Sequence, residues 1–193
     1  MKNILFFTIA LLCSYSVFSQ EKLWSNNPLQ VSYFGHFGLH PGIKLGTEFS
    51  VKNWEKERKN DKGIKLKQYL ISPQIGFYTH PGNHSGLIVQ AEFSKRTEKV
   101  DKRFYYSYGA GFGYVMQINP SDTYIFNDNG EITEKNMTSR SYFMPSLHIE
   151  TGLKLNSKMS VYNKITLASK VKYNTGFTLE PFYELGIRIR MMH

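Results

Sequence analysis

Three histidines are the first residues whose type and spacing suggest chemistry. His40 and His80 each begin a His-Pro-Gly tripeptide, and His84 lies four residues after His80. Neutral imidazoles held close together can bind zinc or copper. No cysteine accompanies them, however, and turn formation at Pro41 and Pro81 explains two of the three positions. The sequence therefore predicts no metal site and no cofactor, with His40, His80 and His84 as the alternative metal ligands.

A second set of candidates consists of charged residues that occupy the polar positions of alternating segments. Its members are Glu48, Glu92, Arg96, Glu150, Glu184 and Arg188. Carboxylates and guanidinium groups that face one another inside a narrow barrel can pair across it, or they can carry a catalytic or proton-handling site. We interpret them as a structural network of salt bridges that fills a lumen.

Both sets lie in or beside segments that alternate with a period of two, which is typical of β-strands. Between residues 104 and 117 one face carries mainly aromatic side chains, and the other carries mainly glycine and small polar residues. Eight such segments follow one another along the chain. They cover residues 29–39, 43–51, 67–79, 87–94, 104–117, 142–153, 159–171 and 179–190. Most have the length that a tilted strand needs to cross a bilayer.

Closure of these strands into a barrel would remove every open sheet edge. The apolar face points inwards in a soluble secreted barrel that binds an apolar ligand, and outwards in a membrane barrel. Glycines on the polar face favour the membrane barrel, because small residues fit a cramped interior. They are Gly46, Gly109, Gly111, Gly113, Gly152 and Gly186. The predicted fold is an all-β, antiparallel, up-and-down transmembrane β-barrel of about eight strands, with the soluble barrel as the alternative.

The N-terminus predicts a secretory signal peptide over residues 1–19, with the barrel over residues 20–193. A lysine at position 2 precedes an apolar run over residues 4–12, and Val17 and Ser19 suit a cleavage site. The sole cysteine, Cys13, lies within this segment. Acylation of Cys13 in a lipoprotein is the alternative, but Leu12 before it is larger than such signals prefer. Cleavage after Ser19 leaves a chain without a thiol, which excludes thiol catalysis.

The formal charge of +9 raises the question of a nucleic-acid partner. The basic residues are scattered and form neither a dense run nor a basic helix, so we expect none. Basic residues at the bilayer surface suit membrane lipid and lipopolysaccharide as partners. The longest connection, over residues 118–139, contains a predicted hairpin and is the place where other envelope proteins would bind.

With its signal peptide and eight two-faced strands, the chain resembles the small eight-stranded outer-membrane proteins of Gram-negative bacteria, particularly the short barrels of the Bacteroidota. The resemblance covers nearly the whole mature chain. It implies location in the cell outer membrane, a narrow lumen plugged by side chains, and a non-enzymatic role in surface display or envelope integrity.

An esterase is the alternative, because one family of such barrels removes acyl chains from lipid A with a Ser-His-Glu site at its rim. His84 and Ser85, followed by Glu92, are similar to that site in composition and position. The family places one residue between its histidine and serine, whereas here the two are adjacent. Adjacent side chains on a strand point to opposite faces. We therefore assign no catalytic residue, and His84, Ser85 and Glu92 remain the alternative.

Overall fold

The computed structural model describes residues 27–36, 40–57, 63–119, 123–126, 132–135, 138–173 and 176–190. The predicted signal peptide lies outside these residues. In this part of the chain no helix has the length and apolarity required to cross a membrane.

The described residues form twelve β-strands. They are β1 (Pro28–His36), β2 (His40–Thr47), β3 (Phe49–Glu57), β4 (Ile64–His80), β5 (His84–Lys99), β6 (Phe104–Asn119), β7 (Thr123–Phe126), β8 (Ile132–Lys135), β9 (Thr138–Phe143), β10 (Ser146–Lys154), β11 (Met159–Tyr173) and β12 (Gly176–Arg190). Strands β2 and β3 follow one path that is interrupted at Glu48, and β9 and β10 follow another that is interrupted at Met144 and Pro145. With each of these two pairs counted as one, the ten strands of the barrel occupy eight positions around its wall. Each position is here called a stave.

Each stave pairs with its neighbours in antiparallel fashion, and β1 pairs with β12 to close the ring. Pro28 lies opposite Arg190 in this closing pair, so the barrel begins and ends at the same rim. Closure leaves each stave with a partner on both sides along most of its length, which satisfies the backbone groups that a lipid environment cannot. The predicted all-β antiparallel barrel of about eight strands is confirmed.

The two rims differ in their residues and are named accordingly. The histidine end carries the connections β1–β2, β4–β5, β6–β9 and β11–β12, while the terminal end carries β3–β4, β5–β6 and β10–β11 together with Pro28 and Arg190. Strands β3 and β4 are longer than the sequence predicts. They pair as far as Glu57 and Ile64, whereas the predicted segments end at residue 51 and begin again at residue 67.

The outer wall of the barrel is apolar. Ile43, Phe112 and Leu147 are each more than 60% exposed, and they stand on three different staves. Their strand neighbours on the opposite face are buried in the lumen. The period-two alternation of the sequence therefore separates an outer apolar surface from a polar interior, as membrane barrels require.

Strands β7 and β8 pair only with each other, in a two-stranded sheet separate from the barrel. Thr123 is paired with Lys135, and Phe126 with Ile132. This hairpin lies within the 118–139 connection at the histidine end, where the sequence predicts one.

Candidate functional site

An apolar plug fills the lumen near the histidine end. Its members are Phe34, Tyr78, Ile88, Val115, Tyr142, Met144, Ala168 and Phe182. The Phe34 ring packs edge-on against Tyr78 with centroids 6.0 Å apart, and against Phe182 at 5.9 Å. Aromatic packing at these distances is favourable beyond the area that it buries. The sequence did not single out this plug, because its residues occupy polar-face positions that otherwise carry small or charged side chains.

Below the plug lies a group of four charges, here called the Glu184 cluster. It consists of Lys44, Glu92, Lys164 and Glu184, all of them buried. Lys44 Nζ donates to Glu184 Oε2 at 2.7 Å, while Lys164 Nζ lies 3.0 Å from Glu92 Oε2 and 3.1 Å from Glu184 Oε2. Two carboxylates and two ammonium groups make the cluster neutral, which is the condition under which buried charges are tolerated.

A second neutral group, the Glu48 cluster, lies nearer the terminal end. It consists of Glu48, Arg96, Glu150 and Arg188. Arg96 donates through both terminal nitrogens to Glu48, and Arg188 Nε donates to the same carboxylate at 2.9 Å. A bidentate arginine–carboxylate pair is among the strongest charge-assisted arrangements. The break between β2 and β3 falls at Glu48, which lies in the lumen with its carboxylate between the two guanidinium groups.

Tyr162 connects the two clusters. Its hydroxyl donates to Glu184 Oε1 at 2.7 Å, and its ring lies 3.9 Å from the guanidinium carbon of Arg188. A cation placed over an aromatic face is attracted by the ring, most strongly where water is excluded. The buried Tyr162 side chain thus contacts a carboxylate of the Glu184 cluster and a guanidinium group of the Glu48 cluster.

Three lumen tyrosines lie over glycines of the neighbouring strand. Tyr78 is paired with Gly86, Tyr105 with Gly152, and Tyr162 with Gly186. A Cβ added to any of the three glycines would collide with the facing tyrosine ring. These glycines therefore leave the space in which each ring lies flat against the wall. The sequence led us to expect glycine for a narrow lumen in general, but the register shows that three of them have a specific aromatic partner.

All six predicted lumen charges lie in the two clusters. Glu92 and Glu184 belong to one, and Glu48, Arg96, Glu150 and Arg188 belong to the other. Sequence reasoning missed the two lysines that neutralise the Glu184 cluster, Lys44 and Lys164. The available signal was position, since both occupy the polar face of their strands.

Four histidines form a continuous stack at the histidine end. His36 is paired with His40 and His80 with His84, each pair closing a hairpin with three residues between. The ring centroids are 5.7 Å apart for His36 and His40, 3.7 Å for His40 and His80, and 5.4 Å for His80 and His84. The described residues contain no group of three or more His, Cys, Asp or Glu side chains placed to hold a metal ion.

Sequence reasoning did not identify His36 as part of this group. It also predicted a turn at both His-Pro-Gly tripeptides. His40-Pro41-Gly42 lies inside β2, whereas His80-Pro81-Gly82 enters the β4–β5 turn, where Gly82 has a φ of 76°. The expected repeat of a His-Pro-Gly turn is thus wrong for the first copy. The shared pattern is His-x-x-x-His across a hairpin, and it brings all four rings together because β2 and β4 are neighbours.

The structure does not bring His84, Ser85 and Glu92 together. His84 Nε2 lies 3.5 Å from the Tyr78 hydroxyl, whereas Ser85 Oγ donates to Thr79 Oγ1 at 3.2 Å. Glu92 lies eight residues after His84 on β5, which corresponds to about 26 Å at a rise of roughly 3.3 Å per residue. It contacts Lys164 in the lumen. A hydroxyl, base and carboxylate need hydrogen-bond contact to act as one nucleophilic site.

Comparison with solved structures finds similar folds among outer-membrane proteins. The outer membrane enzyme PagL superposes with a TM-score of 0.53 at 10% identity, covering 84% of this chain and 98% of that one. Neisserial surface protein A gives 0.47 at 9% identity, with 86% and 94% covered. The β domain of the Bordetella autotransporter BrkA gives 0.29 at 8% identity, with 86% and 99% covered. No family model matches the chain, and no curated protein matches it.

The closed antiparallel ring, the apolar outer wall and the superposition on PagL define the class. The chain has the fold of small outer-membrane β-barrel proteins, with a lumen occupied by an apolar plug and two neutral ion clusters.

Proposed function

We propose that this protein is a non-enzymatic component of the cell outer membrane, a closed barrel that anchors and displays the 118–139 connection and contributes to envelope integrity. Lipopolysaccharide and membrane lipid are its partners around the wall, and other envelope proteins bind through the displayed connection. The observation that carries the proposal is the occluded lumen. A barrel filled by a plug and two ion clusters offers no path for solutes, so its accessible surfaces are the wall, the rims and the connections.

The geometry of the long connection supports display. Strands β6 and β9 pair up to Asn119 and Thr138, and the β7–β8 hairpin adds a second sheet beyond them. Strands β7 and β8 thus belong to the connection between β6 and β9 and are not part of the barrel sheet. A hairpin anchored in this way is held by two paired strands and presents its own surface for contact.

Epitope tags on intact cells test this proposal. One tag is inserted within residues 127–131, between β7 and β8, and the matched control tag within residues 58–62, between β3 and β4 at the opposite rim. We expect antibody to label the first tag on intact cells and the second only after the outer membrane is permeabilised. Labelling of the 58–62 tag alone would show that the barrel has the opposite orientation in the membrane, and it would exclude display of the long connection. Recovery of the protein in the soluble periplasmic fraction would exclude the membrane barrel.

Deletion of residues 122–135 tests separately whether the connection is displayed and whether the barrel supports envelope integrity. We expect the shortened barrel to retain heat-modifiable migration on gels, because no barrel stave is lost. Resistance to large antibiotics should persist in cells with the shortened barrel and fall in cells without the gene, if the barrel itself supports the envelope. Unfolding of the shortened barrel would show that the connection is structural.

The esterase alternative is tested with the same strains. PagL shows that a barrel of this fold can be an outer membrane enzyme. Mass spectrometry of lipid A from cells with and without the gene should show the same acylation pattern under the proposed function. A missing acyl chain that returns in a Ser85→Ala variant would support the esterase and overturn the non-enzymatic assignment.

A further inference from the structure

A cavity of about 190 Å³ opens at the terminal end, next to the Glu48 cluster. Its lining includes the buried side chains of Glu48, Arg96 and Arg188 and the exposed side chains of Lys158 and Arg190. Five basic residues line it in all, against two acidic ones. Because Glu48 and Glu150 neutralise Arg96 and Arg188, the excess positive charge of the lining comes from Lys158 and Arg190.

The two carboxylates of the lining are already engaged. Glu48 accepts hydrogen bonds from both arginines, and Glu98 lies 2.7 Å from Lys154 Nζ. Within the described part of the chain, no ion pair involves Lys158 or Arg190. Among the described residues, these two exposed cations of the lining therefore have no carboxylate partner.

The Nε of Arg96 is a second, independent observation. Arg96 is 8% exposed, and its two terminal nitrogens donate to Glu48. Its Nε–H is buried without a hydrogen-bond partner among the described residues. A buried donor without an acceptor costs free energy, and this one belongs to a side chain that lines the cavity.

We propose that this cavity binds a phosphate group. Lys158 and Arg190 are neighbours, because Arg190 N donates to the Lys158 carbonyl at 2.8 Å, and Arg96 lines the cavity from β5. A phosphate offers oxygens in several directions and suits such a set, whereas one guanidinium fork suffices for a carboxylate. The volume is below the roughly 300–1,000 Å³ of sites for larger organic ligands. The ligand is either free phosphate or the phosphate of a lipid headgroup, and this site goes beyond the display function proposed above.

Isothermal titration calorimetry of the whole barrel in a nonionic detergent tests the proposal. Inorganic phosphate is titrated in one experiment and a short-chain phosphatidic acid in another. We expect saturable binding of at least one. Binding of inorganic phosphate identifies a site for the free anion, and binding of the phosphatidic acid alone identifies a headgroup site. Absence of binding by both overturns the proposal.

Two pairs of substitutions decide whether binding occurs in this cavity. Lys158→Gln with Arg190→Gln removes the two exposed cations and should weaken binding by at least about tenfold, because each is a charge-assisted donor. Lys56→Gln with Lys102→Gln is the matched control. Both control lysines are exposed at the same end, and neither lines the cavity. An equal loss in both double variants would show diffuse attraction and overturn the assignment. Heat-modifiable migration checks that each variant is folded.

Discussion

Lys164 and Glu92 meet across the lumen, with Nζ 3.0 Å from Oε2. They stand on β11 and β5, and the shorter way round the wall between these strands passes over two other staves. The contact is therefore made through the interior of the barrel. A lumen in which one lysine spans to a carboxylate on a distant stave is too narrow for a water-filled channel.

Loss of the Lys164 charge should destabilise the barrel strongly. Lys164→Met leaves Glu92 and Glu184 buried with Lys44, which contacts Glu184, as the remaining cation of the cluster. We expect the free energy of unfolding to fall by about 3–5 kcal/mol, the usual cost of breaking a buried ion pair. Urea titration followed by heat-modifiable migration measures it. The control, Lys56→Met on the exposed part of β3, should stay within about 0.5 kcal/mol of the wild type. Equal stability of the two variants would mean that the Glu184 cluster contributes little.

Gly152→Ala should displace the Tyr105 ring and lower the free energy of unfolding by roughly 1–3 kcal/mol, the usual cost of overpacking. The added methyl would occupy the space of that ring. Gly176→Ala is the control, because nothing lies within 4 Å of the Cβ that it adds. Urea unfolding of the two variants under the same conditions compares them. A Gly152 variant as stable as the Gly176 variant would show that the ring moves aside without cost.

The barrel should conduct no ions. Purified protein in planar lipid bilayers should show no stable open current, since the plug and both clusters close the lumen. Phe34→Ala with Phe182→Ala should also stay closed, because the clusters lie below the plug. A steady current from the wild type would contradict the occluded lumen on which the proposed function rests.

Acid should destabilise the histidine end. The outer face at this level carries Thr79 and Ser85, so the stack lies beyond the apolar band. Burial lowers the pKa of His36 and of His84 below the ordinary 6.5, and Lys170 and neighbouring histidines lower it further, while Glu180 opposes them. The folded state thus binds fewer protons than the unfolded state. Stability is fully present above pH 6.5 and is lost as the pH falls through the lowered pKa values.

Melting of the protein in detergent between pH 7.5 and pH 5.5 measures this loss. In His36→Gln with His84→Gln the melting temperature should depend less on pH over the same range, because the two titrating groups are gone. A double variant with the wild-type slope would assign the pH dependence to other groups.

Alternation along the sequence was enough to assign residues to the outer wall or to the lumen. Alternation with a period of two sets the side of the sheet for each residue, and a slip of one residue would turn every apolar side chain inwards. Eight segments and six lumen charges could be predicted for this reason. Segment ends were less certain, as the extension of β3 and β4 shows, because charged residues such as Lys56 and Lys65 continue a strand beyond the apolar band.

The contacts between lumen residues could not be predicted in this way, because they depend on how the barrel closes. The partners of Glu92 and Glu184 depend on the stagger that brings β2, β5, β11 and β12 around one interior, and no local pattern encodes that stagger. The same holds for Tyr105 over Gly152 and for the four stacked histidines, which lie on strands far apart in the chain. Alternation therefore decided that Lys164 points into the lumen, but closure of the ring decided that it meets Glu92.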